Sequence, residues 1–171
     1  MDTDKTKTIA QKQPTAINFY LLMSMTLLLI LPLFSIMYGH FITKEIFDEQ
    51  LIGKWFIFWA VGIRLFTAGI KQASDPKFTG TKIFKFTTQE SYVVIRELGF
   101  ANIALGVMGI LSLINDSWRI MAAISAAIFF GLAALQHAAR TPESKNEWIA
   151  LLYDTTVFLM LGIYLAFTLI H

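Results

Sequence analysis

Long apolar stretches alternate with short polar segments along the chain. Five of these stretches approach or exceed the roughly 20 residues that an α-helix needs to cross the hydrocarbon core of a bilayer. They cover about residues 17–41, 53–72, 88–114, 118–139 and 147–170. The second is the weakest candidate because Arg64 lies in its middle. The pattern therefore predicts an all-α integral membrane protein, a helical bundle with about five transmembrane helices.

Polar residues at the ends of the stretches support these limits. Thr87 stands three residues before Glu90, and Ser144 stands three before Glu147, which is the spacing of a capping box at a helix start. The short polar turn at 115–117 predicts that the third and fourth helices form an antiparallel hairpin. Residues 1–16 are polar and are predicted to form a flexible cytoplasmic segment. Residues 17–171 then form a single transmembrane bundle.

Composition excludes several classes of function. The chain is 56% hydrophobic and only 15% charged, and its net charge of +2 gives no reason to expect nucleic acid as a partner. With no cysteine, it has no thiolate nucleophile and no Cys-ligated zinc or iron–sulfur cluster. We find no phosphate-binding glycine loop, serine–histidine–aspartate arrangement or zinc motif. We therefore assign no catalytic residue and no metal site, and an enzyme is the less expected class.

The distribution of basic residues predicts the orientation of the bundle. With the N-terminus in the cytoplasm, nine of the fourteen Lys and Arg residues fall on the cytoplasmic side. They are Lys5, Lys7, Lys12, Lys71, Lys77, Lys82, Lys85, Arg140 and Lys145. Short cytoplasmic loops are enriched in such residues. We therefore predict a multi-pass protein with a cytoplasmic N-terminus and an external, periplasmic C-terminus.

Seven polar side chains interrupt the apolar stretches and are the candidate ligand-binding or proton-relay residues. They are Arg64, Arg96, Glu97, Asn102, Gln136, His137 and Asp154. At 1.5 Å rise per residue, most of them lie at similar heights in the cytoplasmic half of the membrane. A charge in hydrocarbon costs about 2.5–3.5 kcal/mol, so such residues normally face the bundle and find partners. We expect Arg64 to pair with Glu97 or Asp154.

Small residues recur at helical spacing on the third and fourth helices. Gly99, Asn102, Gly106 and Gly109 form one series, and Ala123, Ala127 and Gly131 form another. Small residues at this period let helix backbones approach closely. We expect a tight interface between these two helices and their neighbours.

Three functions fit this pattern. The leading hypothesis is a membrane protein that binds or moves a small solute, ion or lipid headgroup. In it the two arginines are electrostatic anchors, and Glu97, Asp154 and His137 are titratable partners. The alternative is a quinone-binding redox subunit, which would need an electron-carrying membrane partner. The third is a structural module that assembles with copies of itself. Quinone is the one cofactor considered, and the lipid bilayer is the one constant partner.

The stretches that carry the polar residues resemble a known family. "RELGFANIALGVMGILSL" (96–113), "GIRLFTAGI" (62–70), "AALQHAAR" (133–140) and Asp154 resemble bacterial integral membrane proteins of unknown function over about residues 50–165. More loosely, the chain is similar to the DoxX-like group of small helical membrane proteins, some of which are linked to quinone-dependent sulfur oxidation. The resemblance implies a bacterial inner (plasma) membrane location and supplies no activity. In the family an acid often stands where this chain has Asn102.

Overall fold

The structure is a computed structural model, which describes residues 19–82, 88–140 and 145–170. Its helices are α1 (Phe19–Phe41), α2 (Glu49–Ser74), the short α3 (Pro76–Lys82), α4 (Glu90–Leu111), α5 (Ser117–Ala139) and α6 (Lys145–Ile170). All but α3 are long and apolar enough to cross a membrane, and the described residues contain no strand. The expected five-span helical bundle is confirmed.

The helix limits follow the predicted stretches closely, with α2 extended at both ends. Asp48 caps its start, because the carboxylate accepts a hydrogen bond from the Leu51 amide at 2.9 Å. Pro76 begins α3, where its missing N–H group removes no hydrogen bond because the first N–H groups of a helix have no partner within the helix. The hydrophobic pattern had not predicted this short helix. The flexible segment at 1–16 and the capping residues Thr87 and Ser144 lie outside the described residues.

Two of the long helices contain π-helical segments, at Thr26–Ile30 in α1 and at Ile57–Ile63 in α2. A π-helical turn holds one more residue than an α-helical turn, so it rotates every side chain that follows it. Arg64 is the first residue after the second segment. The π-helical segment therefore sets the direction in which this arginine leaves the helix.

Glycines bring α2 and α4 into close contact. A methyl group at Gly106 would lie 2.4 Å from the backbone nitrogen of Phe66, and one at Gly69 would lie 2.6 Å from the Gly99 carbonyl oxygen. The series on α4 was predicted to pack closely, and it does so against α2. The turn at 112–116 joins α4 to α5, but α4 packs mainly on α2, and α5 packs mainly on α6.

A polar cluster joins α2, α5 and α6 at the end of the bundle away from Arg64. Arg119 is buried there, forms an ion pair with Asp116, and donates from Nη1 to Gln50 Oε1 at 3.2 Å. The hydroxyl of Tyr164 also approaches Gln50 Oε1, at 3.4 Å. Arg119 is the second residue of the predicted fourth span, and its guanidinium is buried between helices.

We predict that Gly106→Ala lowers the free energy of unfolding by about 1–3 kcal/mol, because the added methyl group must push the α2 backbone away from α4. The measurement is the thermal unfolding midpoint of the purified protein in detergent. Gly162→Ala is the matched control, since nothing lies within 4 Å of its added methyl group. Equal midpoints for the two variants would contradict the proposed α2–α4 contact.

Candidate functional site

A cleft of about 1030 Å³ lies between the five long helices and α3. We call it the central cleft. Apolar side chains form much of its wall, among them Phe19, Met23, Leu65, Leu98, Phe129, Phe130 and Leu132. Five of the seven candidate residues also line it: Arg64, Asn102, Gln136, His137 and Asp154. Because these five come from four helices, the cleft has a polar region that no single helix could provide.

Arg64 is the central charged residue of the cleft and is only 9% exposed. Its Nη2 donates a hydrogen bond to the Tyr20 hydroxyl at 3.0 Å. Its guanidinium carbon lies 5.4 Å from the centre of the Tyr20 ring and 5.2 Å from that of Tyr153, within the range of cation–π attraction. Within the described residues, Arg64 has no carboxylate within 4.0 Å. The predicted direct ion pair with Glu97 or Asp154 is wrong, because two tyrosines surround the guanidinium instead.

Tyr153 connects this arginine to the π-helical segment of α2. Its side chain is buried, and its hydroxyl donates to the Ala60 carbonyl oxygen at 2.8 Å. The same ring faces Arg64. A single side chain of α6 therefore contacts both the irregular turn of α2 and the charge that follows it.

His137 and Asp154 form a pair of titratable side chains in the cleft. His137 Nε2 lies 3.8 Å from Asp154 Oδ2, and their side chains are 19% and 15% exposed. This distance exceeds that of a direct hydrogen bond. Each of the two side chains can therefore form a hydrogen bond with a third group that lies beside the pair.

Two buried polar atoms on the wall of the cleft have no hydrogen-bond partner among the residues that the structure describes. One is Nε of Arg64, a donor, and the other is Oδ1 of Asn102, an acceptor. The amide nitrogen of Asn102 does donate to Gln72 Oε1, at 2.7 Å. Leaving a buried polar atom unpaired costs about 1–3 kcal/mol. A donor and an acceptor left unpaired in one cleft favour a site that a ligand or water completes.

Arg96 and Glu97 do not lie on the wall of the central cleft. Both are exposed, so the prediction that they face the bundle is wrong. Successive residues of a helix project about 100° apart. Since Ile95 and Gly99 form the buried face of α4, the two charges between them must point elsewhere. Glu97 makes no hydrogen bond or ion pair with the residues that the structure describes.

Sequence reasoning missed several polar residues of the cleft. They are Tyr20, Thr67, Lys71, Gln72, Thr79, Arg140, Asn146, Glu147 and Tyr153. Helix periodicity could have found two of them, because Lys71 follows Arg64 by seven residues and Glu147 precedes Asp154 by seven, which places each on its partner's face. Tyr20 and Tyr153 could not be found in this way, because an aromatic ring is common within an apolar stretch and does not stand out as a charged residue does.

Comparison with protein families matches residues 17–171 to DUF6790, described as a family of unknown function. The match includes α1, which the resemblance noted above had left out. No curated protein and no solved structure matches the chain. The likeness to the DoxX-like group stays a prediction.

We predict that Tyr153→Phe lowers the unfolding free energy by about 1 kcal/mol, because it removes the hydrogen bond to the Ala60 carbonyl and keeps the ring beside Arg64. The thermal midpoint in detergent measures this loss. Tyr38→Phe is the control, since Tyr38 is 50% exposed. If both substitutions shift the midpoint equally, the hydroxyl of Tyr153 does not stabilise the π-helical segment.

Proposed function

Because this chain belongs to DUF6790, a family of unknown function, we propose its function from its own residues. The protein binds an amphipathic small molecule or lipid in the central cleft, with the anionic headgroup of that ligand at Arg64. The observation that carries the proposal is the buried guanidinium of Arg64, which has an unpartnered Nε and no carboxylate within 4.0 Å among the described residues. The activity proposed is binding, without a chemical step.

The charge of Arg64 favours an anionic group. A guanidinium presents parallel N–H donors that match the two oxygens of a carboxylate or phosphate. A tyrosine ring attracts a cation by only about 0.5–2 kcal/mol, which is weaker than the attraction of a carboxylate or phosphate at the same site. Arg140 also lines the cleft and adds positive charge there, whereas Lys71 is paired with Asp75, and Glu147 and Asp154 contribute carboxylates to the wall. An anionic headgroup would therefore complete the environment of Arg64.

The size and the walls of the cleft favour an amphipathic ligand over a free ion. Sites for drug-sized molecules typically span about 300–1,000 Å³ and are mostly apolar with a few placed polar groups. The central cleft, at about 1030 Å³, lies at the upper end of that range. A small anion at Arg64 would leave the surface of Phe129, Phe130 and Leu132 uncovered. An acyl or isoprenoid chain would cover it.

The remaining polar residues have secondary roles in this proposal. Asp154 and His137 accept hydrogen bonds from a hydroxyl or ammonium group of the ligand. Asn102 and Gln136 supply neutral hydrogen bonds, with Oδ1 of Asn102 free to accept one. Arg96 and Glu97 have no role in the central cleft, because neither lines it.

A quinone is the second candidate ligand, and a specific observation favours it. The rings of Tyr20, Phe129 and Phe130 line the cleft together with Arg64 and with the His137–Asp154 pair. A quinone carbonyl accepts a hydrogen bond from a guanidinium, and its reduction takes up protons that such a pair could deliver. This function also needs an electron-donating membrane partner, so co-purification of a redox protein would distinguish it.

We predict that the protein, released from its own membranes in mild detergent, carries a bound amphipathic molecule in native mass spectrometry. Arg64→Gln keeps a polar side chain but removes its charge, and we expect at least about tenfold weaker binding, equivalent to about 1.4 kcal/mol. The bound mass itself distinguishes an anionic lipid or acid from a quinone.

Glu97→Gln is the control, because it removes a charge from an exposed position outside the cleft. Thermal midpoints of both variants show whether each is folded. The proposal is contradicted if the wild-type protein carries no such mass, or if a folded Arg64→Gln variant keeps it at wild-type occupancy.

A further inference from the structure

A second pocket lies outside the central cleft, between the short helix α3 and the first turns of α4. It has a volume of about 560 Å³ and is lined by Lys77, Gln89, Tyr92, Val93 and Arg96. We call it the α3–α4 pocket. It includes Arg96, one of the seven candidate residues identified from the sequence. We propose that this pocket binds the phosphate group of an anionic phospholipid.

Two positive charges in the pocket have no acidic partner. Lys77 and Arg96 are both exposed, and neither forms an ion pair within the described residues. The described part of the lining contains no aspartate or glutamate. Two cations that share one recess attract an anion more strongly than either does alone, and the effect is larger near a membrane surface than in bulk water.

The nearest acidic residue in the chain before α3 is already engaged. Asp75 accepts a bond from Lys71 Nζ at 2.6 Å and another from the Phe78 amide at 3.2 Å. The hydrogen bond from Lys71, together with that from the Phe78 amide, holds the pKa of Asp75 below its usual range. Asp75 therefore stays ionised and bound to Lys71, and Lys77 acts on its charge without forming an ion pair with it.

The guanidinium of Arg96 is held in place by the last turns of α2. Its Nε donates to the Ala73 carbonyl oxygen at 3.2 Å. This bond uses one of five N–H donors and leaves the terminal nitrogens for an anion. Gly80 fixes α3 against α4, since a methyl group there would lie 2.8 Å from Cε1 of Tyr92. The pocket is therefore built by contacts among α2, α3 and α4.

The surroundings of the pocket favour a lipid over a soluble phosphate. On α4, Val93, which lines the pocket, is 58% exposed, and Phe100, two turns further along the same face, is 56% exposed. A phosphate at Lys77 and Arg96 would place its acyl chains along this apolar face.

The test is a titration of the delipidated full-length protein with phosphatidylglycerol and, separately, with phosphatidylcholine, followed by native mass spectrometry. We expect one phosphatidylglycerol to bind at the α3–α4 pocket, in addition to any lipid held at Arg64, and at least about tenfold more tightly than phosphatidylcholine. Each of Lys77→Gln and Arg96→Gln should weaken that binding by about fivefold, and the double variant by about thirtyfold. The control is Lys145→Gln, an exposed cation that lines neither pocket.

Three results would overturn the proposal. The first is equal affinity for the two lipids, and the second is unchanged binding in a folded double variant. The third is displacement of the lipid by inorganic phosphate at a concentration similar to that of the lipid, which would reassign the pocket to a soluble anion. Arg64→Gln should keep this lipid, so failure at the α3–α4 pocket and failure at the central cleft give different results.

Discussion

The burial of one guanidinium is the constraint on which the rest of the structure depends. A charge within the apolar part of a membrane helix costs about 2.5–3.5 kcal/mol. A hydrogen bond to the Tyr20 hydroxyl of α1 and cation–π contacts with the rings of Tyr20 and Tyr153 offset this cost. The direction of the Arg64 side chain depends on the π-helical segment Ile57–Ile63. The Tyr153 hydroxyl donates a hydrogen bond to the Ala60 carbonyl oxygen in that segment. The mutual placement of α1, α2 and α6 is therefore tied to a single side chain.

The helix packing explains why a cleft remains around that charge. Glycine contacts hold α2 tightly against α4, and α5 packs mainly on α6. The two pairs meet through a core that is well filled near Ile57 and Val61, one to two turns before Arg64. Beyond those residues Arg119 and Gln50 tie α2 to α5 at the far end. The space between the pairs therefore remains at the Arg64 end, where the polar side chains of four helices meet.

Sequence could predict the helices and part of the site. The five spans followed from hydropathy, and Arg64, His137 and Asp154 were found because a polar residue in an apolar helix is conspicuous. The rotation of each helix could not be predicted, since α4 is apolar on several sides, so Arg96 and Glu97 were wrongly expected to face the bundle. Tyr20 and Tyr153 were missed because aromatic residues are common in membrane helices. The contact between Tyr153 and Ala60 depends on a π-helical turn that has no clear sequence signal.

The central claim is that Arg64 anchors a ligand in the cleft. The most direct measurement is a cryo-electron microscopy map of the protein kept in its native lipids within nanodiscs, with a fiducial binder to overcome the small size of the chain. The account predicts elongated density that begins within hydrogen-bonding distance of Arg64 and continues along Phe129 and Phe130. It predicts that Arg64→Gln loses the density at the headgroup. A well-resolved wild-type map in which the cleft is closed by side chains, or holds density that does not contact Arg64, would contradict the claim.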